Sequence, residues 1–150
     1  MSGYPDGEEL VLRQVQATAG FGPRNATRGK WGVLNTGKAP VYAILHKGEW
    51  TMSFISATVA EFTWQTIVQV WQSWINDGST QADLDANVEA LIERFLAYRK
   101  LADTTDTIND SNPRRGGEPS EMWVKGGGPR WLKADIIVEW KEQRPVTFAE

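Results

Sequence analysis

The chain has 150 residues, 41% hydrophobic and 23% charged, a balance that suits one domain, 1–150, built on one core. A net charge of −3 exerts no global pull toward nucleic acid or an anionic membrane, and the lack of cysteine excludes disulfides, thiol nucleophiles and Cys-ligated zinc. No apolar run reaches the roughly 18 residues needed to span a bilayer, and MSGYPDGEE has neither the basic nor the apolar part of a secretory leader, so no membrane partner and no export are expected.

Residues 1–5 read as a loose arm. Asp6 and Glu9 have the spacing of a capping box, and Leu12, Val15 and Ala19 share a helical face, which predicts a short helix from about Gly7 to Ala19. Gly22-Pro23 breaks it. Asn25 to Lys38 is polar and Gly-bearing, an extended connection with Trp31-Gly-Val-Leu as a brief strand. Pro40 then opens VYAILH, a β-branched and aromatic strand closed by Lys47-Gly48. Trp50, Met52 and Phe54 alternate before the pattern loses phase near Ala57.

The alternation resumes over 61–72. Phe62, Trp64, Thr66, Val68 and Val70 point one way and Glu61, Thr63, Gln65 and Gln69 the other, with Ile67 and Trp71 as apolar exceptions on the outer face. After Asn76-Asp77-Gly78 comes the clearest periodicity in the chain, 80–101. Leu84, Val88, Leu91, Ile92 and Phe95 form one apolar stripe, Thr80 and Asp83 resemble a capping box, and the early acidic and late basic residues complement the helix dipole. About 103–130 is polar and rich in Gly and Pro, and reads as a long loop, functional or disordered. The last strand, 131–141, places Leu132, Ala134, Ile136, Val138 and Trp140 on one face before Pro145 stops it. Two one-sided strands need cover and two amphipathic helices supply it. The expected fold is therefore α+β, a mostly antiparallel sheet with two helices packed on one face and a long Gly/Pro-rich loop before the last strand.

Chemistry-bearing constellations are sparse. His46 is the only histidine, with no Ser or Cys motif to serve. Asp103, Asp106, Asn109 and Asp110 carry oxygen ligands but lack the spacing of a calcium loop. Gly126-Gly127-Gly128 lacks the Lys-Ser/Thr of a phosphate cradle and precedes a strand instead of a helix. No catalytic, metal or cofactor residue is assigned, and no enzyme activity is expected. The basic residues Arg114, Arg115, Lys125 and Arg130 suit an acidic partner surface, and Trp123 between Met122 and Val124 suits a buried anchor. Eight tryptophans point to interfaces; Trp50, Trp71, Trp74 and Trp123 serve equally as a sugar-binding face or a subunit contact.

The order of these elements resembles the tail-terminator or tail-completion proteins of tailed bacteriophages, including the minor tail protein U type. The resemblance rests on ELVLRQVQATA as the first helix, VYAILHKGEW as strand and turn, FTWQTIVQVWQSW as the long strand, ANVEALIERFLAYRKL as the long helix and WLKADIIVEWKE as the closing strand. It spans about residues 8–143 and contains no signature motif. It implies a structural virion protein, made in the host cytoplasm, forming a homohexameric ring at the head-proximal end of the tail. Such a ring stops polymerisation of the tail tube protein and joins the tail to the head-tail connector. Genome DNA passes through its channel without sequence-specific binding. A head-to-tail adaptor or neck protein, and a Trp-rich carbohydrate- or peptide-binding module, stay open as other readings.

Overall fold

The structure, a computed structural model, describes residues 3–29, 40–75, 77–101, 103, 108–117, 120–123 and 130–147. In chain order the elements are α1 (Tyr4–Gln16), β1 (Ala26–Arg28), β2 (Val41–Ser56), β3 (Val59–Ser73), α2 (Asp77–Ala97), β4 (Ile108–Arg115), β5 (Ser120–Trp123) and β6 (Arg130–Pro145). The fold is α+β. Five strands lie in the order β1-β2-β3-β6-β4, and β5 also pairs with β6; every pairing is antiparallel except the short β1–β2 contact.

Both helices pack on the same face. Val11, Leu12 and Val15 of α1 and Leu84, Val88, Leu91 and Phe95 of α2 share a buried cluster with Leu45, Trp64, Val68, Val70, Leu132, Ile136, Val138 and Trp140. The period-2 and period-3.6 patterns meet here, since a strand gives every second residue to the core and a helix gives every third or fourth. On the opposite face Tyr42, Ile44, Trp71 and Trp131 form a second buried cluster. Trp71, an exception to the alternation of its strand, thus has apolar neighbours of its own.

Several boundaries differ from the sequence reading. Helix α1 begins at Tyr4, inside the stretch expected as an arm, with Pro5 in its first turn and no side-chain cap. Arg28 bridges Glu8 at 2.9 Å, and the Gly3 amide donates to the buried Glu142 carboxylate at 3.3 Å, so partners elsewhere in the fold hold this end. Helix α2 starts at Asp77, which places Thr80 inside its first turn, where its hydroxyl accepts from the Ile75 amide at 2.9 Å. The strand expected to stop at Lys47-Gly48 continues to Ser56. Between Lys47, opposite Thr66, and Trp50, opposite Trp64, β2 carries one residue more than its partner, a β-bulge that keeps the ladder going. The expected strand at Trp31 lies outside the described residues.

Within 103–130 the structure forms β4 and β5, where composition suggested only loop. The free edge of β6 explains both. β3 occupies one side along its whole length, and β4 and β5 take successive segments of the other, β4 opposite Ile136–Glu142 and β5 opposite Arg130–Lys133. Main-chain pairing of this kind needs little apolar side chain, which is why a polar sequence can adopt it.

Gly7 marks the tightest approach between the layers. A Cβ there would lie 2.0 Å from the Trp140 ring. Helix propensity alone favours alanine over glycine by about 1 kcal/mol, whereas overpacking a core costs about 1–3 kcal/mol. Gly7→Ala should therefore lower stability in urea titration, and a raised midpoint would show that α1 is not seated on Trp140.

Candidate interaction surface

The surface that stands out is on the helix-side face of the sheet, where the helices stop. Tyr4, the first residue of α1, packs on Trp64 and Trp140 with ring centroids 5.6 and 6.0 Å away. Its hydroxyl donates to Glu8 and accepts from Thr66 at 3.2 Å, while Trp140 Nε1 donates to the same Thr66 hydroxyl at 3.4 Å. Burial, with the Glu8 carboxylate beside it, pushes the Tyr4 phenol well above its ordinary pKa.

Beyond this point β2, β3 and β6 run on together. β3 extends five residues from Trp64 back to Val59, about 17 Å of three-stranded arm. The bulge at Gly48-Glu49 moves the even-numbered residues of β2 onto the helix-side face, so Trp50 lies opposite Trp64, Met52 opposite Phe62 and Phe54 opposite Ala60. No helix covers them there. Trp50 is 51% exposed, Met52 45% and Phe54 61%, and Ile55 is exposed near the turn. Free phenyl and indole side chains present about 150–250 Å² each, so this stripe leaves on the order of 300 Å² of apolar surface uncovered, the size of the largest patch on an ordinary monomer.

The rings of the stripe stack on one another. Phe62 and Trp64 are 7° from parallel at 5.4 Å, and Trp50 lies 6.2 Å from Phe62 and 5.4 Å from Trp64. Cations cover further ring faces. Lys47 Nζ is 5.2 Å from the Tyr4 ring and 5.1 Å from that of Trp64, and the Arg144 guanidinium lies 4.4 Å from Phe62. Arg144 also forks onto one oxygen of Glu142 at 3.0 and 2.7 Å, and Glu142 is wholly buried. The arm is thus an apolar stripe flanked by two cations, with much of its ring-face area already occupied.

Of the residues expected to form a partner contact, Met122 and Trp123 lie beside Arg130 across the β5–β6 pairing, while Arg114 and Arg115 are on β4. Arg114 and Arg115 sit opposite Ile137 and Ile136, on alternate faces of β4. Arg114 is exposed, whereas Arg115 turns toward α2 and pairs with Glu89 and, at 3.9 Å, with Asp85. Arg130 stacks its guanidinium 4.0 Å over Trp74. Met122 and Trp123 lie in β5 opposite Trp131 and Arg130; their side chains, like Val124 and Lys125 altogether, fall outside the described part. The four tryptophans considered as a sugar face do not share one, because Trp50 is on the helix side and Trp71 is buried in the opposite cluster. His46 lies within β2 opposite Ile67 instead of at a strand end. Asp106 and Gly126–Gly128 are outside the described residues, among which no group of three His, Asp or Glu could hold a metal ion. Among those residues, too, no helix is long and apolar enough to cross a membrane.

The arm itself escaped the sequence reading. Its signal was there, the alternation of Trp50, Met52 and Phe54, but Gly48 read as the end of a strand instead of a bulge within one. No protein-family model and no curated protein matches this chain.

Two outcomes test this geometry. Phe54→Ser should shift the melting temperature by no more than a couple of degrees, because an exposed side chain contributes little to folding, while Trp64→Ala should cost about 3–5 kcal/mol. Equal losses would place the arm stripe in the core. The raised Tyr4 pKa means that the folded state holds the phenolic proton more tightly than the unfolded chain. The associated stability is complete below the ordinary tyrosine pKa of about 10 and is lost as pH rises above it. Tyr4→Phe should flatten that alkaline decline in urea titrations at successive pH values, and an unchanged slope would assign it to other groups.

Proposed function

We propose that this chain is a structural assembly subunit of the tail-terminator kind, forming a ring at the head-proximal end of a phage tail that stops tube growth and receives the head connector. The observation that carries the assembly reading is the uncovered arm. A sheet whose helix layer ends at Trp64 while its apolar face continues through Trp50, Met52 and Phe54 leaves hydrophobic surface suited to burial by a partner. The tail-terminator reading itself rests on the resemblance in the order of sequence elements, a short helix, a strand hairpin, a long helix and a closing strand, to which the fold adds β4 and β5 before the last strand.

The chemistry of the arm favours a protein partner over a sugar. Carbohydrate sites offer open aromatic faces on which a pyranose can lie, and here Phe62 stacks on Trp64 while Lys47 and Arg144 approach the rings. Ring edges, Met52 and the cations are what remain for a partner, a mixture common in protein interfaces. The element order and the arm are compatible with a head-to-tail adaptor as well, but neither favours it over a terminator.

Purified chain should form a closed ring, expected to be hexameric, by native mass spectrometry and negative-stain microscopy. Mixed with assembling tail tube protein, it should cap tubes at one end and shorten their length distribution. Monomer at every accessible concentration, or tubes of unchanged length, would remove the proposal.

A further inference from the structure

The ring reading leaves open which two surfaces meet between neighbouring subunits, and we infer that the arm of one copy packs on the outward face of α2 of the next. This rests on the ring reading and adds to it a named, head-to-tail interface. A closed ring of identical subunits requires two unlike, complementary surfaces on each copy. The arm is one of them: apolar at Trp50, Met52 and Phe54, and flanked by the cations Lys47 and Arg144.

The outward face of α2 has the complementary chemistry. At 100° per residue, Leu84, Val88, Leu91 and Phe95 point into the core, and Ala82, Ala86, Glu89, Glu93, Leu96 and Ala97 fall within one stripe on the far side. All six are exposed, Leu96 by 53%. An ordinary surface helix puts long polar side chains there. This one puts three alanines and a leucine, with Glu93 beside them and Glu89 already paired with Arg115 of the same chain. Low side chains let a flat sheet approach closely, Leu96 offers apolar contact to Phe54 or Met52, and Glu93 is opposite in sign to Lys47 and Arg144.

Area supports the same pairing. A stable interface buries about 800 Å² on each partner, apolar at the centre and polar at the rim. The arm stripe of about 300 Å² is the right size for such a centre, and Lys47, Arg144 and Glu93 supply the rim. A helix laid across a sheet is also the packing this chain already uses in its own core.

The test uses the full chain, with size-exclusion chromatography coupled to light scattering, and circular dichroism to verify the fold. Phe54→Glu and Leu96→Glu should each dissociate the wild-type ring to monomer, raising the dissociation constant by about 30-fold or more, with the circular dichroism spectrum of the folded chain retained and the melting temperature lowered only by the loss of assembly. If either glutamate variant misfolds, the serine variant at that position replaces it. Glu93→Lys should weaken assembly in a salt-dependent way. Mixing the two monomeric variants is decisive, because one carries an intact helix face and the other an intact arm. The mixture should yield a dimer and nothing larger. If either variant still forms rings, or if the mixture stays monomeric, this interface is wrong while the ring stands. If the wild-type chain is itself monomeric, the ring reading fails and this one falls with it.

Discussion

The seating of the first turns of α1 on Trp64 and Trp140 sets the rest of the molecule's surface. Gly7 lets the helix backbone descend onto the Trp140 indole, Tyr4 closes the end of the layer, and the shared Thr66 hydroxyl ties both rings to the sheet. A bulkier residue at position 7 would lift the helix and loosen those contacts together. Everything on the N-terminal side of Trp64 in β3 is then left without a helix. The location of the seat therefore fixes how much of the sheet is core and how much is arm.

A buried charge secures that seat. Glu142 is fully enclosed in β6, opposite Ile108 of β4, and receives the Gly3 amide on one oxygen and the Arg144 guanidinium on the other. A carboxylate removed from water without partners would cost several kcal/mol, so its two partners are what make the position tolerable. One partner belongs to the start of α1 and the other lies over Phe62 on the arm. The same carboxylate thus links the end of the helix layer to the beginning of the uncovered surface.

Much of this was legible in the chain. The core faces of β3 and β6 and the apolar stripe of α2 follow from period-2 and period-3.6 patterns, and Val68, Ile136, Leu84 and Leu91 are buried as those patterns require. Boundaries were less legible, for physical reasons. Tyr4 and Pro5 begin a helix because Glu142 and Arg28 hold its end from distant sequence positions, a tertiary effect no local pattern contains. Gly48 marks a bulge, and a glycine that bends a strand looks in sequence like one that ends it. β4 and β5 have weak strand composition and form because β6 offers them an edge. Arg114 and Arg115, adjacent in sequence, are separated by the pleat of β4, since neighbours on a strand face opposite ways.

The two flanks of the sheet are treated differently, and that asymmetry bears on assembly. β4 carries Pro113, which cannot donate to a further strand, together with Arg114 and Arg115, features that discourage edge-to-edge pairing. β2 is covered by β1 only at Ala43–Leu45, and its arm sequence, Trp50 to Ser56, contains no charge and no proline. An exposed, uncharged, apolar strand is an aggregation hazard in a solitary chain. Among the described residues the β4 edge is thus guarded and the arm stretch of β2 is not, an asymmetry that fits the proposed assembly, in which the arm and not β4 would be the contact.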